Sequence, residues 1–160
     1  MKRFFIVVAV VCTVNMSSVS AQEMQTGMGL LNVGLGLVDG VGLNASYDHG
    51  IAQWGPGVFT IGGIVGLQTW GVGNGSYRAN TFVFSSRATY RYPINSEFEV
   101  YATAMLGVQK YSYSNNTKGN FTEFFGTTAG IRYSFSSNIA VFAEAGYNLA
   151  YLNGGLSFSF

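Results

Sequence analysis

Apolar and polar residues alternate along most of this chain with a period of two, the spacing of a strand with two unlike faces rather than the 3.6 of a helix. Between Arg78 and Pro93, Phe82, Phe84, Ala88, Tyr90 and Tyr92 alternate with Thr81, Ser85, Arg87, Thr89 and Arg91. Phe98, Val100, Ala102, Ala104, Leu106 and Val108 then alternate with Glu99, Tyr101, Thr103, Met105, Gly107 and Gln109. The pattern returns with Phe125, Ala129, Ile131 and Tyr133 against Gly126, Thr128, Gly130 and Arg132. Ile139, Val141, Ala143 and Ala145 against Phe142, Glu144 and Gly146 continue it, and Leu156, Phe158 and Phe160 against Gly155, Ser157 and Ser159 close it. Three earlier segments, 27–37, 42–48 and 58–70, keep the period less cleanly, with Ile64 and Trp70 on the polar face. The expectation is eight strands.

The connections fall into two kinds. Pro93-Ile94-Asn95-Ser96 and Ser136-Ser137-Asn138 are tight turns, whereas 71–76 and 114–120 are longer, polar and rich in Gly and Asn. An antiparallel up-and-down array of eight strands places these on opposite ends. The stretch 49–56 falls on the short-turn end, where it reads as unusually long for a turn.

Composition decides which face points outward. Only 9% of the 160 residues are charged against 48% hydrophobic, and ordinary soluble domains carry about 25% charge. A soluble barrel would need its charges on the outside, and there are too few. With the faces reversed, lipid meets the apolar rows and the strand charges collect in the lumen, while closure satisfies every backbone polar group in hydrocarbon. The expected fold is therefore all-β, an eight-stranded antiparallel up-and-down transmembrane β-barrel. No stretch of the body approaches the roughly 20 apolar residues of a spanning helix. Aromatics near strand ends (Tyr90, Tyr92, Phe98, Tyr133 and Phe135 at one end; Phe82, Phe84, Phe125 and Tyr151 nearer the other) fit interfacial girdles.

The first residues read as an address. Met1-Lys2-Arg3, the apolar run Phe4 to Val14 and the small residues Val19-Ser20-Ala21 form the three parts of a signal peptide cut between Ala21 and Gln22. The expected organisation is a signal peptide over 1–21 and a barrel domain over 22–160. Cleavage removes the only cysteine, Cys12, and leaves six basic residues against seven acidic. That balance argues against nucleic acid as a partner. One histidine and no remaining cysteine give no metal spacing, and no cofactor is expected.

Six charges share the predicted lumenal face: Arg87, Arg91 and Arg132 opposite Asp48, Glu99 and Glu144. Unpaired charge there is costly, so a paired network that plugs the lumen is expected, with lumenal glycines making room for Tyr101, Phe124, Phe142 and the arginines. His49 reads as a surface turn residue and, beside Asp48 in sequence, as the opposite face of a strand, a poor start for a catalytic triad. No enzymatic role is expected. A narrow channel for small or hydrophobic solutes is the alternative, favoured by Ile64, Trp70 and Met105 on the inner face; a lipid-modifying barrel enzyme is a weaker one.

Taken together, residues 22–160 resemble the small outer-membrane β-barrels of Gram-negative bacteria, the group of OmpX-like and OmpA-transmembrane-like eight-stranded barrels. The sharpest element is the ending Leu156-Ser157-Phe158-Ser159-Phe160. The resemblance implies that Leu156, Phe158 and Phe160 form the recognition signal for the outer-membrane assembly machinery, and that the environment is outer-membrane lipid and lipopolysaccharide. It implies a bacterial outer-membrane location with a structural or surface-interaction role, in which the loops near Gly73 and Asn116 would meet any surface partner. No periplasmic tethering domain is expected beyond Phe160.

Overall fold

The protein, described here from a computed structural model over residues 24–37, 40–72, 77–113, 119–147 and 151–160, is a closed antiparallel barrel in which eight strands pair in chain order. They are β1 (Gly29–Leu37), β2 (Val41–Trp54), β3 (Gly57–Val72), β4 (Tyr77–Pro93), β5 (Phe98–Tyr113), β6 (Phe121–Ser134), β7 (Ile139–Tyr147) and β8 (Leu152–Ser159). The β1–β8 ladder closes the cylinder, from Leu30 opposite Ser159 to Leu37 opposite Leu152. Closure leaves no strand edge unpaired, which is what an extended sheet of this length requires to avoid edge-to-edge association.

Period-two patterning becomes two concentric surfaces. On β1 the burial alternates residue by residue from Leu30 onward, and on β4 and β5 Thr81, Val83, Ser85, Arg87, Thr89, Arg91, Glu99, Tyr101, Thr103 and Met105 all point inward. The outer surface carries the large apolar side chains, with Leu106 67% and Phe125 60% exposed. Ile64, the apparent misfit of the third segment, is buried inside, where it packs with Val83, Met105 and Phe124 in an apolar cluster. Trp70 meets Tyr111 edge-on, with centroids 6.1 Å apart.

The turn at 49–56 differs from the sequence expectation. β2 runs on through Trp54, and Gly55-Pro56 alone joins it to β3. Gly55 takes φ +60°, and the ring of Pro56 holds the next φ near −65°, a pair suited to the two-residue hairpin turn of the II′ kind. The pairing skips Ile51, since Gly50 faces Thr60 and Ala52 faces Phe59. This β-bulge breaks the alternation that would have marked the strand. His49 is accordingly a strand residue and not a turn residue. It faces outward, half-buried, with its Nδ1 3.4 Å from the Tyr47 hydroxyl.

The short connections Gly55-Pro56, Ile94–Glu97 and Phe135–Asn138 gather at one end, called here the turn end. Around its outer rim sit ring pairs: Trp54 with Phe59 (5.5 Å), Phe59 with Tyr90 (4.9 Å), Phe98 with Tyr133 (4.7 Å) and Tyr47 with Phe160 (6.1 Å). Tyr90 also donates to the Trp54 carbonyl at 3.0 Å. At the opposite, loop end, Tyr147 and Tyr151 pair at 6.5 Å. The loops near Gly73 and Asn116, and the residues of the expected signal peptide with its cut between Ala21 and Gln22, lie outside the described residues.

Candidate functional site

The inward face of β2, β4, β5, β6 and β7 supplies six ionised side chains, each no more than 6% exposed: Asp48, Arg87, Arg91, Glu99, Arg132 and Glu144. Five of them form one continuous chain of alternating sign. Glu144 Oε1 receives Arg87 at 3.2 Å, Arg87 Nε lies 3.0 Å from Asp48 Oδ1, Arg91 reaches Asp48 Oδ2 at 2.8 Å, and Arg91 also reaches Glu99 at 2.7 Å. The chain crosses the lumen from β7 through β4 to β2 and returns through β4 to β5. Asp48, wholly buried, is its hub.

Neutral side chains add to the coordination. Tyr101 donates to Glu144 at 3.1 Å and offers its ring to the Arg91 guanidinium, 4.7 Å from the centroid. Ser46 accepts from Arg87 at 2.9 Å and from Asn32 at 3.0 Å. Asn44 and Asn153 bond across the end of the cluster at 3.0 Å. Such pairing is what allows ionised groups to stay in a low-dielectric interior, because an unpaired charge there is driven toward its neutral form.

Arg132 stands apart. Glu99 is its Cα partner on β5, yet no carboxylate of the described residues lies within ion-pair distance of it. Its guanidinium turns the other way, donating to Ser157 at 3.2 Å and Ser159 at 2.7 Å on β8. On the intervening strand β7, Phe142 is the Cα partner of Arg132 and the small, fully buried Ala140 that of Ser157, so the guanidinium crosses β7 on a diagonal. Between Arg132 and the turn end lies a cleft lined in part by Glu97, Glu99 and Ser134, with room for about one water.

Glycines set the shape of the site. Gly130 is the Cα partner of Tyr101, and a methyl group there would stand 2.5 Å from the ring's Cζ. The tyrosine lies flat across the glycine, which holds its hydroxyl toward Glu144. Gly34 similarly makes room for Phe142 Cζ (2.9 Å) and for the Asn153 amide oxygen (2.6 Å). Gly130→Val is expected to cost about 1–3 kcal/mol through forced displacement of Tyr101. Urea unfolding in detergent reads this loss, and adding Tyr101→Leu to it should cost less than the two single losses combined.

Of the other residues singled out in the sequence, Leu156 and Phe158 lie on the outward face of β8, opposite Val33 and Leu31. Phe160 exchanges backbone hydrogen bonds with Gly29 at 2.8 and 3.0 Å. Asp48 and His49 point to opposite faces, the one fully buried in the lumen and the other outside. Sequence reasoning missed Ser157, Ser159, Asn44 and Asn153 as partners. Parity put Ser157 and Ser159 on the inward face, but only the register across the closing strands reveals what they touch.

No protein-family model and no curated protein sequence matches this chain. Solved structures do match. A de novo designed transmembrane β-barrel superposes with a TM-score of 0.61 at 17% identity, over 87% of this chain and all of the design. The N-terminal β-barrel domain of Pseudomonas aeruginosa OprF gives 0.59 at 14%, over 86% of this chain and all of that domain. This chain has the fold of the eight-stranded outer-membrane barrels. A third barrel of the kind, Ail, the attachment invasion locus protein of Yersinia pestis solved with the heparin analogue sucrose octasulfate, gives 0.56 at 13%, over 85% of this chain and all of that one. Identities this low leave the side chains of the barrel interior as this chain's own.

Proposed function

We propose that the protein is an integral barrel of the bacterial outer membrane, exported by a cleaved leader, whose lumen is filled by side chains and whose role is structural or surface-directed and not catalytic. One observation carries this reading: the distribution of side chains is inverted relative to a water-soluble domain. Leucine, valine, isoleucine and phenylalanine cover the outside, while six ionised groups are sequestered within. Water would be a poor solvent for that exterior, since contiguous exposed apolar area of this extent drives association. Acyl chains suit it. The ring pairs at the turn end then mark the periplasmic interface and Tyr147–Tyr151 the outer one.

The interior argues for a plug over a conduit. The ion-pair chain spans the lumen in the turn-end half, and Ile64, Val83, Met105 and Phe124 meet across it beyond. Ions would have to break paired charges and then pass a level narrowed by four packed apolar side chains. The loops near Gly73 and Asn116 are the parts left to meet a surface partner.

Two measurements test the proposal. The protein should sediment with outer membranes and float with phospholipid vesicles after refolding; release by osmotic shock without detergent would overturn the membrane assignment. Purified barrels in planar bilayers should show no stable conductance step, and a large, reproducible one would replace the plug by a channel.

A further inference from the structure

The chain does not begin at β1. Residues 24–28 precede it, and they fold back under the barrel. Gln25 C=O accepts from Met28 N–H at 3.2 Å across a turn centred on Thr26-Gly27, with Gly27 at φ +91°, the backbone of the third residue of a type II turn. Gly27 N–H then donates to the Gly50 carbonyl at 2.8 Å, and Gly50 N–H to the Met28 carbonyl at 2.9 Å. The reversal drives Met24 into the turn-end mouth, where it is 6% exposed and packs with Leu30, Val58 and Met28. Gly50 permits the fit, because a Cβ there would collide with the Gln25 carbonyl.

We propose that residues 24–28 are a strap that covers the β1–β3 side of the turn-end mouth of the lumen and keeps water from Asp48 and Arg91. Register supports this. The two barrel residues under the methionines are Leu30 and Val58, and their Cα partners are Asp48 and Arg91, the hub of the ion-pair chain and its neighbour. Lifting the strap uncovers the side chains nearest that pair. Attraction between buried charges depends on exclusion of water, so the strap acts on the cluster without touching it. A glycine at φ +91° is the hinge, since side-chain-bearing residues resist that conformation.

The strap rests on the reading of a filled lumen, and the test separates the two. Thr60, fully buried and the Cα partner of Gly50, is replaced by cysteine in a Cys12→Ala background, and a small charged methanethiosulfonate reports access to the mouth. Gly27→Val strains the turn at its positive φ, at a position where an added Cβ has nothing within 4 Å. Met24→Ser weakens the seal by a second route. Each folded barrel is verified by resistance to SDS unfolding at room temperature. We expect Thr60→Cys alone to be silent, and labelling to rise at least tenfold (on the order of 1.4 kcal/mol) with Gly27→Val and with Met24→Ser. Fast labelling with the strap intact, or no change with either variant, would overturn the strap. Conductance by the unmodified barrel would overturn the filled lumen while leaving the labelling contrast to judge the strap.

Discussion

Replacing Asp48 by alanine is expected to destabilise the barrel by about 3–5 kcal/mol, the cost of stripping a buried charge from its partners. Asp48 is the only carboxylate of the cluster that holds two guanidinium groups, Arg87 at 3.0 Å and Arg91 at 2.8 Å. Its loss would leave Arg91 on Glu99 alone and Arg87 on Glu144, with Asn32 also losing its 3.4 Å contact to Oδ2. Removing Arg132 instead should cost less, because that guanidinium holds serine hydroxyls and no carboxylate within ion-pair distance. The two variants, unfolded by urea in the same detergent, should therefore rank Asp48→Ala well below Arg132→Met in midpoint. Equal midpoints would mean that the five-membered chain has no cooperative hub. Replacing the whole chain by apolar residues of similar volume is a different matter: buried ionic clusters can be exchanged that way with little loss, so the large effect belongs to the broken pair and not to charge as such.

Much of this arrangement was legible before any coordinates, and the reason is the strict geometry of a strand. A period of two assigns every residue to one of two faces, so Arg87, Arg91, Glu99, Arg132 and Glu144 fall on the same side once their strands are recognised, and so does Asp48 on the less regular second strand. What parity cannot give is distance across the lumen. Arg132 illustrates the gap: its neighbour along the ladder is Glu99, yet it bonds two strands away to Ser157 and Ser159. Two further features escaped for a local reason. The bulge at Ile51 shifts the alternation by one residue and hid the end of β2, even though Gly55-Pro56 is itself a turn signal. The strap ahead of β1 has no period at all. Its single mark in the sequence is Gly27, whose positive φ only the folded chain reveals.

The orientation of the two faces carries the second large expectation. Leu106→Arg, midway along β5 and 67% exposed on the outer surface, should destabilise the barrel by about 2–4 kcal/mol in a phospholipid bilayer, the depth-dependent penalty for a cation at the midplane. In water the same substitution would be nearly neutral, since an exposed leucine gives up little on becoming charged. The measurement is reversible urea unfolding in vesicles. A comparison variant, Phe98→Arg, lies on the same face of the same strand at its turn-end margin, packed on Tyr133 at 4.7 Å. There the guanidinium can reach head groups, and the electrostatic part of the penalty falls to about 0–1 kcal/mol; a Phe98→Ala control removes the shared loss of ring packing from that comparison. A steep difference between positions 106 and 98 follows only if the outer surface is immersed in hydrocarbon, because water imposes no gradient along a strand. Equal penalties at the two depths would remove the membrane from the account, since the inverted pattern of Leu106 outside and Arg87 inside would then need some other apolar cover.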